Sequence, residues 1–281
     1  MEPISIAAPL SSDDLKALCQ AKAQLESPSL TMKLASMVGA PVEKLISSMP
    51  AIAHEKVVDA TQIALRKCLQ IALRTLGKAE RAGGAGIDKP SNLLHKLAVA
   101  TTGAAGGAFG FLALPVELPV TTTLMFRSIC DVARSEGEDL TTIDSQLQCL
   151  AVLGMGNPHK THDAGEDAEL GYFVVRGALA QQVSRATSEI ASKGFASHGS
   201  TALMRLVGAI ASRFSVQVSE QIAAKSIPAI GAVLGAMVNT VFIDHFQQMA
   251  HGHFTVRRLE RQYGQAAVRA AYQAIEASRD G

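Results

Sequence analysis

The sequence predicts an all-α fold: a large helical domain built around two small-residue apolar helical segments. Three observations carry that prediction. The chain of 281 residues is 48% hydrophobic but only 4% aromatic, with no Trp, and an alanine-rich, aromatic-poor composition favours helix over sheet. Apolar residues recur at three- and four-residue spacing along most of the chain, the period of one helical face. No stretch combines strict alternation with hairpin turn chemistry. With only 18% charged residues the chain is too apolar for disorder, and it is long enough to bury a substantial core.

Taken in order, residues 1–49 read as an N-terminal helical arm and residues 50–281 as the main domain. After Pro50, Leu65, Leu69, Ala72 and Leu76 repeat on one face, with Lys56, Asp59, Arg66, Lys67 and Arg74 on the solvated side. Gly77 and the glycine-rich run at 81–86 are expected to end that helix. Beyond Pro119, Thr122, Met125, Ile129 and Val132 line another face, and Gly137 stops it. Thr141-Thr-Ile-Asp144 has the form of a capping box, opening a helix whose Ile143, Leu147 and Leu150 point one way. The polar stretch 154–171 reads as a surface loop. Helical pattern resumes at Tyr172, and the final helix carries Val268, Ala271, Tyr272 and Ile275.

Two segments differ from the rest. Residues 97–116 hold twenty consecutive positions without a charge, and residues 226–243 hold eighteen. Such lengths fall within the range that can cross a bilayer. Gly103 with Gly107, Gly106 with Gly110, and Gly231 with Gly235 each form a G-x-x-x-G pair, which clears a stripe for close backbone approach. Because Gly, Ala, Ser and Thr contribute little to insertion, the first reading is a pair of central packed helices. A hairpin that touches or enters a membrane under some conditions is the second reading, and constitutive transmembrane spanning is the third.

Charge and cysteine usage narrow the function classes. Lys and Arg number 26 against 25 Asp and Glu, a formal charge of +1, so the electrostatic footprint of a nucleic-acid binder is missing. Aromatic and basic residues are not interleaved as a single-strand binder requires. Cys19, Cys68, Cys130 and Cys149 lie far apart without metal-type spacing. They read as free buried thiols, and with no secretory signal at the N-terminus the expected location is cytoplasmic.

Candidate chemistry sits at the ends of the apolar segments. Glu117 lies in Leu114-Pro-Val-Glu-Leu-Pro119, between prolines that should bend or restart the helix. A carboxylate there needs partners, which Arg127 or the second segment could supply. Asn239, Asp244, His245, Gln248, His251 and His253 follow the second segment, with Asp244, Gln248 and His251 on one helical face. Glu117 and His245 are the catalytic candidates, and Glu117, Asp244 and His251 the candidate ligands of a divalent metal. Other patterns fail: His54-Glu55 lacks the second histidine of a zincin, with Val58 in its place. Residues 83–89 have neither Rossmann nor Walker spacing. Phe195 stands where a nucleophile elbow through Ser197 needs Gly. The potential ligands at 159–166 lie in an ordinarily polar stretch.

Gly103-Ala-Ala-Gly-Gly-Ala-Phe-Gly110 followed by Leu114-Pro-Val-Glu-Leu-Pro-Val-Thr-Thr-Thr123 resembles the EcsC protein family. So do Gly171-Tyr-Phe-Val-Val-Arg176, the stretch from Ile227 to Asn239, and Phe254-Thr-Val-Arg-Arg-Leu-Glu260 with Tyr263-Gly264. The resemblance spans roughly residues 50–278. It implies a helical, largely bacterial protein of unknown biochemical role, and a lean toward the membrane because the family is named for a gene neighbour of an ABC transporter. The residues matching its pattern are Glu117, Pro119, Arg127, Tyr172, Arg176, Gly231, Gly235, Asn239, Arg257 and Glu260. Of these, Glu117, Arg127, Tyr172, Arg176 and Asn239 form the candidate ligand-binding set.

Two functions follow as expectations. The first is a non-enzymatic factor at the inner membrane face that binds lipid or another apolar ligand, or pairs with an ABC transporter or other membrane component. The alternative is a metal-assisted hydrolase using Glu117 and the 244–251 helix. Arg257-Arg258-Leu-Glu-Arg261 reads as a solvated helix face, or as a modest basic rim for anionic head groups.

Overall fold

A computed structural model describes residues 10–39, 42–47, 51–79, 114–156, 168–193, 200–225 and 231–277. Its helices are α1 (Ser12–Leu25), α2 (Leu30–Val38), α3 (Val42–Ser47), α4 (Ala51–Ala79), α5 (Leu114–Ser135), α6 (Ile143–Val152), α7 (Ala168–Lys193), α8 (Thr201–Lys225), α9 (Gly231–Tyr263) and α10 (Gln265–Ala277). Among the described residues there is no strand. The chain is all-α, as its periodicity predicts.

Local chemistry sets the helix ends. Ser11 caps α1 by accepting from the Asp14 amide, and Asp13 and Asp14 place negative charge in the first turn, where the helix dipole favours it. Ser29 caps α2 through the Met32 amide. Gly137, at φ +79°, closes α5, with the Glu138 amide bonded to the Ala133 carbonyl and the Gly137 amide to the Arg134 carbonyl. That is the Schellman arrangement, which needs a left-handed residue. The cap of α6 is Thr142, one residue later than expected, accepting from the Ser145 amide. Thr141 is drawn away because its hydroxyl and amide both bond Asp139 Oδ1, at 2.6 and 2.9 Å.

Three sequence expectations about breaks are corrected. α4 runs through Gly77 to Ala79; one glycine costs a helix only about 1 kcal/mol. α5 runs through Pro119 without restarting, and the Pro119 carbonyl takes a 2.7 Å bond from the Thr123 hydroxyl. In the stretch read as a surface loop, residues 154–156 lie in a buried turn and helix has begun by Ala168. The glycine pairs at 103/107 and 106/110, the run at 81–86 and the polar residues 159–166 lie outside the described residues.

The core is continuous. Leu65, Leu69 and Ala72 of α4, Met125, Ile129 and Val132 of α5 and Leu147 and Leu150 of α6 are buried, as their spacing predicts. Phe214 of α8 meets Phe242 and Phe246 of α9 with ring centroids 6.1 and 5.4 Å away. Helix α4 packs on α5 and on α8, and α9 runs against α1, α5 and α8.

The first helices share the core. Leu18, Ala21, Leu25, Leu30 and Leu34 belong to the same buried cluster as the α9 aromatics. The physical reason is Gly252: a Cβ built there would stand 2.6 Å from Leu25 Cγ and 2.9 Å from the Ala21 carbonyl oxygen. Only a hydrogen at that position lets α1 settle onto α9. Cys68, Cys130 and Cys149 are free and buried, but Cys19 is exposed on α1, because that position faces away from α9.

The end of the molecule formed by the C-termini of α5 and α9 is tied by charge. Arg257 donates to Glu138 at 2.8 and 3.2 Å and to Asp144 at 3.3 Å. Arg258 bonds Glu136 at 3.0 Å and Asp14 at 3.3 Å, and Arg261 pairs with Glu138. Carboxylates from α1, α6 and the turn after α5 pair with these arginines, whose side chains stay 20%, 35% and 43% exposed.

Candidate functional site

The opposite end gathers a polar layer. Glu117 sits in the first turn of α5 and Lys225 is the last residue of α8. Each charge therefore complements its own helix dipole. The Lys225 ammonium donates to Glu117 Oε1 in a short ion pair. Asn239 Nδ2, from α9, donates to the same oxygen at 3.3 Å. One helical turn before Lys225, Gln221 Nε2 donates to Asn239 Oδ1 at 2.6 Å. Three helices are joined by one chain of hydrogen bonds.

This layer is nearly dry but not sealed. The Lys225 and Glu117 side chains are 11% and 13% exposed. Burial pushes the Lys225 ammonium below the ordinary lysine range, and the Glu117 carboxylate beside it restrains that drop. On the same helices as Glu117 and Asn239, Val120 and Met237 are 37% and 47% exposed. Glu117 immediately follows the charge-free residues 97–116 and Lys225 immediately precedes the charge-free residues 226–243. The ion pair thus joins one boundary of each segment.

The other sequence candidates divide among separate places. Arg127 is exposed and, ten residues beyond Glu117, sits about 15 Å further along α5, so it is not the carboxylate's partner. Tyr172 and Arg176, on α7, form a second buried cluster. The Tyr172 hydroxyl lies 3.0 Å from His253 Nδ1, Arg176 makes a two-bond pair with Glu260, and Tyr172 stacks on Tyr272. Burial pushes the Tyr172 phenol up to about 12. Burial, with the Arg176 and Arg257 charges, holds His253 well below the usual imidazole range. Its Nε2 has no hydrogen-bond partner among the described residues. His253 is fourteen residues beyond Asn239, about 21 Å along α9, so the ligand-binding set splits into two sites.

The catalytic and metal candidates do not converge either. His245 Nε2 donates to the Gly156 carbonyl, and burial lowers this imidazole to about 4. Asp244 lies in the field of Lys33, whose ammonium donates to Gln248 Oε1 at 2.8 Å. His251 is twelve residues past Asn239, about 18 Å from the Glu117 level. Among the described residues no three His, Cys, Asp or Glu side chains are grouped to hold a metal.

Lys225 and Gln221 are the site residues that sequence reasoning missed. The available signal was positional: Lys225 bounds the second charge-free segment as Glu117 bounds the first. His253 was noted, but without its bond to Tyr172.

These features define an all-helical protein with a polar layer set between two uncharged segments and an ionic cluster at the far end. Among the described residues no helix is long and apolar enough to cross a membrane. The chain belongs to the EcsC protein family, whose model matches residues 12–259. That match includes the first helices, in keeping with their place in the core. No curated protein and no solved structure matches the chain.

Proposed function

We propose that this protein is a non-enzymatic, membrane-peripheral factor that contacts lipid through the two charge-free segments. The ion pair between Glu117 and Lys225 carries the reading, because it fixes the end of one segment beside the start of the other. Two apolar stretches anchored at the same point can act on one surface, where apart they would each be a local hydrophobic patch.

The molecule is also polarised. From Asn239 to Arg257 is eighteen residues of α9, about 27 Å. Near one end of that span are the Glu117–Lys225 ion pair and the exposed side chains of Val120 and Met237. The other holds three arginines paired with acidic side chains. A body of this kind orients on an interface with its apolar end inward, attached at the cytoplasmic face without spanning it.

Co-sedimentation with unilamellar vesicles tests the reading. Wild type is expected in the pellet with vesicles and in the supernatant without them. A protein that stays in the supernatant at every lipid composition contradicts the proposal.

A further inference from the structure

We infer that the Glu117–Lys225–Asn239 layer is a head-group site for a zwitterionic phospholipid bearing a primary ammonium, of the phosphatidylethanolamine type. This inference rests on the lipid reading above and adds to it the chemistry of the lipid recognised.

The geometry singles out one oxygen. Lys225 Nζ and Asn239 Nδ2, from two different helices, both donate to Glu117 Oε1. Two donors converging on one anionic oxygen make a cradle for an oxyanion, filled here by the protein's own carboxylate. A phosphate oxygen at that position meets the same ammonium and the same amide. Gln221 holds Asn239 from behind at 2.6 Å, fixing the amide so that its nitrogen faces the cradle.

Displacing Glu117 from the cradle decides which head group fits. An anionic head group would satisfy Lys225 and leave the Glu117 carboxylate, only 13% exposed, without a counter-charge in a poorly solvated place. A zwitterion exchanges partners instead. Its phosphate takes Lys225 and Asn239, its ammonium takes Glu117, and one internal pair becomes two external ones with no change in net charge. A primary ammonium can donate hydrogen bonds to the carboxylate. A quaternary ammonium has no N–H to give, so phosphatidylcholine forfeits the charge-assisted bond. Val120, three residues after Glu117 on α5, is exposed and offers an acyl chain apolar surface on the carboxylate's side of that helix.

The test compares vesicles with a fixed fraction of anionic lipid and a remainder of either phosphatidylethanolamine or phosphatidylcholine. Wild type should bind the former about tenfold more tightly, the worth of one charge-assisted hydrogen bond. Glu117→Lys combined with Lys225→Glu keeps an ion pair but reverses its direction, and should remove the preference. Soluble glycerophosphoethanolamine should displace wild type from vesicles where glycerophosphocholine does not, a readout that needs no variant. Equal binding to both vesicle types overturns this inference and leaves the lipid reading standing. So does a preference that survives in the folded charge-reversed variant, or competition by both soluble head groups alike. Binding to neither vesicle overturns the inference together with the reading it rests on.

Discussion

Gly252 of α9 lies so close to Leu25 of α1 that a Cβ at 252 would stand 2.6 Å from Leu25 Cγ. The contact makes the N-terminal helix part of the core, and it sets the first prediction. Gly252→Ala must push α1 away or strain both helices. It should lower stability by about 1–3 kcal/mol, as overpacking does, read as a lower urea midpoint. Leu25→Ala in the same background should recover part of the loss, because it removes the atoms in the way.

Breaking the polar layer from one side should be costly. Glu117→Leu leaves Lys225 nearly buried without a counter-charge. The expected loss is about 3 kcal/mol, at the low end for buried pairs because part of each side chain reaches solvent. Glu117→Leu with Lys225→Met should be much closer to wild type. A double-mutant cycle by chemical denaturation measures the coupling.

Acid should destabilise the fold through its buried histidines. His245 is lowered to about 4 and His253 also lies well below its ordinary value of 6.5. The unfolded chain therefore takes up protons on these groups at a pH where the folded one does not. Their contribution is fully present above about pH 6.5 and is lost as pH falls toward about 4, at up to about 1.4 kcal/mol per unit per histidine. Urea midpoints across that window should fall. His245→Gln should shallow the slope.

Tyr172→Phe should cost about 1–3 kcal/mol, since it strips buried His253 Nδ1 of the hydroxyl 3.0 Å away. Arg127→Ala, by contrast, removes an exposed side chain and should stay within about 0.5 kcal/mol of wild type. Thermal unfolding of the two variants distinguishes a buried cluster member from a surface residue that merely matches the family pattern.

The fold was legible in the sequence where local rules decide. The α5 face at Thr122, Met125, Ile129 and Val132 is a helical repeat, and the stop at Gly137 is a backbone requirement. The break expected at Gly77 was illegible because the cost of one glycine is small against a long helix packed on α5 and α8. The candidate site was half legible. Glu117 stands out as a charge beside one uncharged segment and Asn239 as a polar group within the other, and the structure brings them together. Lys225 is 108 residues from its partner, and no local spacing encodes such a pair. Arg257 was misread for the same reason: its carboxylates come from Glu138 and Asp144, far away in sequence.

The orientation of the molecule on lipid is the most direct test of the account. The chain has no tryptophan, so a single introduced one reports alone. Met237→Trp places it on exposed surface beside the polar layer, and Tyr263→Trp places it at the ionic end. With vesicles of brominated lipid, fluorescence at position 237 should be quenched and shifted to the blue, while fluorescence at position 263 should be unchanged. Quenching at 263 alone, or at neither position with protein bound to the vesicles, would contradict the assignment of the Glu117–Lys225 end as the surface that meets the membrane.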